Sequence, residues 1–354
     1  MQKVISIFSG LLLLVACQQN APTDQDNSTP AKKEVSPAQQ PPADRQYVRG
    51  PIDSISNLIN REGESAQLLA DRARLHLGYN NTKAALKDIH HALTLDSSLA
   101  EINEVYGEYH FMVNHSRKAR DQWEKCIRRD PQNGTCLLRL AELYIAVQNY
   151  DRALELVNQQ LQNNDKDPKA YFTKGIIIRD RNADTAIALQ YFQNAIDLKQ
   201  DYFEAIDMMA VTLTQQKDTL AKFYYDRLLE MQPNNADTYF KLGTYYQGQN
   251  EVNRALEAYT QAVKINPTDA DSYYNLGYMH LQLDQYQKAR SFFTKAIQSK
   301  ERNYKAYYGR GYTYEVVGDL LNAKKDYEKS LEILSMYKPA GQALARVNRA
   351  INEQ

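Results

Sequence analysis

Gly243, Gly277 and Gly311 stand 34 residues apart, and the same step taken backwards lands on Met209, Gly175, Ala141, Gly107 and Ala73. A fixed period of this length constrains a chain more than any local propensity does. Each copy is one supersecondary unit that can bury its apolar face only against its neighbours. With these residues set at position eight, units begin at 66, 100, 134, 168, 202, 236, 270 and 304 and fill 66–337 with no net insertion.

The other recurrent positions give the unit its content. Position twenty holds Ala85, Ala119, Ala153, Ala221, Ala255, Ala289 and Ala323, and the fourth unit offers Ala188 one residue late. Position twenty-four is usually a ring (Trp123, Tyr225, Tyr259, Phe293, Tyr327), and position twenty-seven is mostly small (Ala92, Cys126, Ala262, Ala296, Ser330). Pro131, Pro233 and Pro267 fall at position thirty-two. Small residues let two helices approach, rings fill the space between them, and proline ends the second helix. Each unit therefore reads helix, short turn, helix, and the fold class is all-α.

This pattern closely resembles the tetratricopeptide repeat family over about three quarters of the chain. The departures are local, chiefly Ala205, Met208 and Met209 in the fifth unit and Leu137 and Gln160 in the third. The resemblance implies an α-solenoid: a right-handed superhelix of eight 34-residue helix-turn-helix repeats, its concave face built mainly from the first helix of each. The ends need covering. Ile52, Ile55, Leu58 and Ile59 make an apolar stripe for a lead-in helix within 52–65. Within 338–354, Ala340, Ala343, Leu344, Val347 and Ile351 follow helical spacing, with Gln342, Arg346, Arg349 and Glu353 on the other side, as a solvating capping helix requires.

Within each first helix, positions four, seven, eight and eleven form the stripe that faces the repeat core, while five, nine and twelve look into the groove. Tyr273 is thus expected in the core, and Tyr274 and Tyr278 in the groove. Position five reads Ala70, Glu104, Leu138, Phe172, Ile206, Phe240, Tyr274 and Tyr308; position nine reads Arg74, Glu108, Glu142, Ile176, Ala210, Thr244, Tyr278 and Tyr312. An acidic N-terminal groove (Glu104, Glu108, Glu142) and an aromatic and aliphatic C-terminal trough (Phe172, Ile206, Phe240, Tyr274, Tyr278, Tyr308, Tyr312) follow. Large, stiff, amphipathic rings are common binding anchors. The bland alternative is that they pack across adjacent first helices and merely line the superhelix. On the anchor reading, alanine at Phe240, Tyr274 and Tyr308 leaves the core untouched. No unit pairs lysine at position five with asparagine at position nine, the combination with which some members of the family hold a terminal carboxylate.

Catalytic and metal chemistry find little support. No phosphate loop, zinc-protease helix or nucleophile elbow is present, and no strand pattern could build a catalytic sheet. His76, His110 and His280 fall at position eleven, where a core ring is expected, and lack acidic or cysteine partners at ligand spacing. His90 and His91 point about 100° apart on one helix and cannot easily chelate together. Neither a cofactor nor a metal is expected, and the chain reads as no enzyme. Cys126 and Cys136 lie about equally far on either side of the turn near Pro131, so antiparallel helices bring them close. They form either a disulfide stapling the second unit to the third or two buried small residues in place of alanine.

The opening "MQKVISIFSGLLLLVACQQN" has an early cation and an apolar run from Val4 to Ala16, too short to span a bilayer comfortably, and reads as a secretory signal. Leu14, Val15, Ala16 and Cys17 resemble the bacterial lipobox, which implies cleavage after residue 16 and a lipid-bearing Cys17, within a 1–17 leader segment. Residues 18–51 carry six of the eleven prolines and no apolar periodicity, as a disordered tether would. Gln18 after the lipidated cysteine implies the outer membrane by the usual sorting rule.

Forty-three basic and forty-three acidic residues leave no net field to favour nucleic acid as a partner. The reading is a lipid-anchored adaptor or scaffold of the bacterial cell envelope, holding a helix or extended segment of another protein in its groove. Alternatives are a self-associating component of an envelope secretion, pilus or motility assembly, and a module whose tyrosines stack on glycan or peptidoglycan.

Overall fold

The computed structural model describes residues 50–182 and 184–353. The leader, Cys17 and the tether up to residue 49 lie outside the described residues, where eighteen α-helices and no strand are found. Helix α1 (Pro51–Glu62) is followed by pairs: α2 (Ala66–Gly78) with α3 (Thr82–Leu95), α4 (Ala100–Met112) with α5 (Ser116–Arg129), α6 (Gly134–Ala146) with α7 (Tyr150–Asn163), and α8 (Pro168–Asn182) with α9 (Thr185–Leu198). Then come α10 (Phe203–Gln215) with α11 (Ala221–Met231), α12 (Ala236–Gly248) with α13 (Val252–Ile265), α14 (Ala270–Gln282) with α15 (Tyr286–Ser299), and α16 (Tyr304–Val316) with α17 (Leu320–Ile333), closed by α18 (Lys338–Asn352). Pro51, assigned above to the tether, is the first residue of α1, where a fixed φ and a missing N–H suit the first turn.

Short polar residues set the helix starts. Asn133, Asn235 and Asn303 accept the backbone N–H of Cys136, Thr238 and Ala306, opening first helices, and Asn81, Asn149 and Asp319 open second helices in the same way. Between the two helices of seven of the units the backbone turns through one left-handed residue. Asn80, Asn114, Gln148, Asn250 and Asp284 recur at position fifteen with φ of 56° to 61°, and Gly318 takes the same place at 85°. The fifth unit departs: Lys217, one position late, carries the turn, and α11 is shortened to 11 residues.

Close approach explains the glycine period. The seven alanines of position twenty and Ala188 are fully buried. A Cβ built on Gly107 would come within 2.3 Å of Trp123 Nε1, and one on Gly277 within 2.8 Å of the Phe293 ring. The second helix thus lays its ring directly on the first helix's backbone. At the ends, Ile59 of α1 is buried and Ile55 packs on the first unit's core. Ala343 and Val347 of α18 are buried with Tyr327, and Leu344 and Ile351 pack against them. No helix among the described residues is long and apolar enough to cross a membrane.

Candidate partner-binding groove

Four of the expected groove rings rest on the core ring of their own unit. Centroids lie 5.9 Å apart for Phe172 and Phe192, 5.9 Å for Phe240 and Tyr259, 5.7 Å for Tyr274 and Phe293, and 5.7 Å for Tyr308 and Tyr327. All four groove rings are half-buried. They are therefore neither free-standing anchors nor a lining held only across adjacent first helices. One face of each belongs to the core, so alanine at Phe240, Tyr274 and Tyr308 would undercut Tyr259, Phe293 and Tyr327, contrary to the expectation above. Tyr273 differs in the other direction: it is only half-buried, stacked on Phe292 at 6.4 Å with the Lys295 ammonium 5.5 Å from its centroid. The same position is fully buried where it holds Leu69, Leu137 or Ala205 and half-buried where it holds Tyr171, Tyr239, Tyr273 or Tyr307: the smaller side chains fit within the core and the longer ring does not.

The C-terminal end of the trough holds rings that the period does not flag. Tyr337 meets Tyr304 edge-on at 4.9 Å and Tyr308 at 5.5 Å. Tyr274 sits beside Tyr278, Tyr304, Tyr308 and Tyr337. Burial is the first cause that pushes the phenols of Tyr274, Tyr308 and Tyr337 above the ordinary tyrosine range. Tyr202 does the same at an earlier boundary between units: it lies 5.4 Å from Phe172, with Lys199 over its ring at 5.3 Å and its phenol pushed up to about 12, chiefly by burial. Tyr202 and Tyr304 stand at position one and Tyr337 at position thirty-four. The usual residue at position one is alanine and at position thirty-four asparagine or aspartate, so these tyrosines are departures that a period read from common residues passes over.

Tyr278 and Tyr312, at position nine, are half-buried on the same side. Gln282 Nε2 donates to the Tyr278 hydroxyl at 3.4 Å, and burial raises the Tyr312 phenol. Below them the Tyr327 hydroxyl donates to Glu315 at 2.6 Å, and Arg346 reaches back from α18 to clamp both Glu315 oxygens at 2.5 and 2.8 Å. Arg346, expected on the solvating side, thus locks the capping helix to the last unit. Ile206 is a second correction. It is fully buried, a side chain short enough to be covered within the cluster that also takes in Phe172, Tyr202 and Phe240, and it offers the groove no surface.

The N-terminal groove is not acidic in effect. Glu104 is buried and pairs with Arg74 at 3.2 Å while accepting from Asn133; Arg139 bridges Glu108 at 2.5 Å and Glu142 at 2.9 Å; Lys169 holds the other Glu142 oxygen at 2.9 Å. Each acid meets a cation from the neighbouring unit, because stacking sets the first helices of adjacent units side by side. The result is a ladder of inter-unit pairs with its charge already matched.

The sulfurs of Cys126 and Cys136 are joined, with their Cα atoms 6.4 Å apart and both residues fully buried. The position-eleven histidines behave as rings. His110 stacks on Tyr106 at 4.4 Å and His280 on Phe292 at 5.2 Å, and burial is the first cause that lowers the pKa of each. His76 lies 3.8 Å from Asp88, whose carboxylate Arg72 holds at 2.7 Å through both oxygens. Among the described residues no three His, Cys, Asp or Glu side chains converge as a metal site would need.

Comparison with known proteins agrees with this architecture. Family models described as tetratricopeptide repeat match residues 117–173 and 304–333, and one described as anaphase-promoting complex, cyclosome, subunit 3 matches 214–296. The human protein O-mannosyl-transferase TMTC1 is 24% identical over 175 residues, covering 48% of this chain but only 20% of its own length. Among solved structures, the C-terminal part of a TPR repeat-containing protein from Cytophaga hutchinsonii aligns with a TM-score of 0.54 at 17% identity, covering 68% of this chain and 99% of that one. A chain of the Cut9–Hcn1 hetero-tetramer aligns at 0.56 and 15% identity, covering 84% and 58%. At these identities the structures speak for the fold alone. Together with the eight in-phase helix pairs and their glycine-under-ring packing, the matched models establish that the chain is a tetratricopeptide repeat protein.

Proposed function

We propose that this chain is a non-enzymatic adaptor of the bacterial cell envelope, lipid-anchored through Cys17, that holds a helix or extended segment of another protein against the C-terminal half of its concave face. A tetratricopeptide fold is a scaffold for protein–protein interaction, and the finer reading rests on one observation. Tyr274, Tyr304, Tyr308 and Tyr337 converge on one end of the groove, and none of their hydroxyls has a hydrogen-bond partner among the described residues. Rings with one face on the core and an unspent hydroxyl suit a ligand that brings both apolar side chains and exposed backbone. The N-terminal half, its charges already matched, has less to offer.

Two features support the location. Cys17 closes a lipobox-like stretch followed by Gln18, and the Cys126–Cys136 disulfide suits an oxidising compartment. The test of binding is a photo-reactive phenylalanine analogue at Tyr278, compared with the same group at the exposed Lys325 on α17. An adduct of defined mass in cells at 278 and none at 325 is expected, and equal labelling at both would remove the groove as the site. Palmitate-analogue incorporation that is lost in Cys17→Ala tests the anchor.

A further inference from the structure

Large apolar side chains stand exposed where the first helix of each early unit turns into the second. Tyr79 is 63% exposed, Phe111 49%, Met112 39% and Val147 66%. Tyr79 and Val147 are equivalent cap residues of α2 and α6, and Phe111 and Met112 are the last residues of α4, so the four crown successive turns along one edge of the solenoid.

Cations flank them. Lys83 lies in the first turn of α3, and Arg117 and Lys118 lie in the first turn of α5; all three are exposed and make no ion pair among the described residues. Neither helix has an acid in that turn. A helix N-terminus carries partial positive charge, so these cations sit where the dipole disfavours them, with no ion pair among the described residues to offset it. In the third unit the arrangement reverses: Asp151 takes the first turn of α7 and is paired with Arg181 at 2.7 Å.

We infer that this edge of the first three units is a surface for an anionic lipid bilayer. The argument is one of charge complementarity joined to shape. Uncompensated cations are attracted to an anionic headgroup layer, and apolar side chains on protruding turns can enter it. An acidic protein or a nucleic acid would use the cations but leave Tyr79, Met112 and Val147 in water. A row of exposed tips at successive turns is also matched by a plane better than by a groove. Tyrosine, with an apolar ring and a polar end, suits the headgroup depth. The proposed Cys17 anchor would only bring this edge near a membrane; the recognition itself lies in the folded units.

The test uses the full chain with Cys17→Ser, so that an environment-sensitive thiol dye reacts only at an introduced cysteine, the other two being joined. The dye is placed at Tyr79→Cys and, as a control on the opposite, inter-unit turn, at Gln232→Cys. With phosphatidylglycerol–phosphatidylcholine vesicles, dye emission at 79 should shift to the blue and brighten while that at 232 stays unchanged, and phosphatidylcholine alone should give no response. Arg117→Glu with Lys118→Glu should weaken partitioning by roughly thirtyfold or more. An equal response at both sites, a response that survives the charge reversal, or silence with vesicles would overturn the inference; so would a shift caused by polyglutamate or a DNA duplex and not by lipid. Because the readout is local to position 79, its failure is separate from failure of partner labelling at Tyr278 or of lipid labelling at Cys17.

Discussion

Tyr274 and Phe293 come from opposite helices of one pair and share a ring contact, with centroids 5.7 Å apart and planes inclined by 50°. Binding surface and core are therefore two sides of a single layer of rings. Tyr274→Ala should cost about 2–4 kcal/mol, short of a fully buried aromatic because the outer face is already wet. Tyr274→Phe keeps the ring and should cost less than about 1 kcal/mol. Urea denaturation measures both, and an alanine variant as stable as the parent would show that the ring carries no core function.

The Glu315 carboxylate is a junction between Tyr327 below and Arg346 above. Removing it in Glu315→Ala leaves the fully buried Tyr327 hydroxyl without an acceptor and should cost about 1–3 kcal/mol. Arg346 is about half exposed, so Arg346→Ala should cost less, about 1 kcal/mol or below after screening by water. Hydrogen exchange in α18 reads the difference, and equal protection in both variants would contradict the asymmetry.

His110 is buried against Tyr106, and burial, followed by the charges of Lys118 and His115, holds its pKa below the ordinary histidine value. As pH falls below about 6.5 the unfolded chain takes up this proton while the folded chain resists. Stability is thus complete above the unfolded pKa and declines as pH drops through the lower folded value. His110→Tyr should flatten the fall in urea midpoint between pH 7.5 and 5; an unchanged slope would assign the effect elsewhere, with His280, shifted in the same direction, the next to test.

The Cys126–Cys136 bond closes a short loop, with a sequence separation of 10. Cys126→Ala with Cys136→Ala should lower stability by about 2–3 kcal/mol, since a short loop recovers less chain entropy than a long one. Exchange protection should fall mainly in α5 and α6, and a uniform loss along the chain would show that the bond acts globally.

Gln148 and Lys217 occupy left-handed turn conformations at φ of 59° and 57°, where asparagine, aspartate or glycine serves the other described units. Gln148→Gly and Lys217→Gly should each raise stability by about 1 kcal/mol, read as a higher melting temperature. A loss would mean that these side chains make contacts worth more than the backbone strain.

The period made the helix pairs legible, because glycine, alanine and ring at positions eight, twenty and twenty-four are dictated by contacts inside one unit. Contacts between units were harder to read. The matched charges of Glu104, Glu108 and Glu142 depend on Arg74, Arg139 and Lys169, which lie 27 to 31 residues away and appear only once stacking is known. Tyr304 and Tyr337 are hidden in another way: each replaces the residue usual at its position, alanine at one and asparagine or aspartate at thirty-four, so the period does not single them out. Ile206 shows that facing the groove is not the same as reaching it. A branched aliphatic side chain ends beneath the surface that Phe240 and Tyr274 attain.

A solenoid has no closing contact between its two ends, so each joint between units behaves as a bearing for everything beyond it. The bond between Cys126 and Cys136 locks one of these bearings early in the series. A small rotation there would be multiplied along the six units beyond it, whereas the same rotation near α18 would move almost nothing. The bond between two buried sulfurs thus restrains, from a distance, the direction of everything beyond it, the tyrosine trough included.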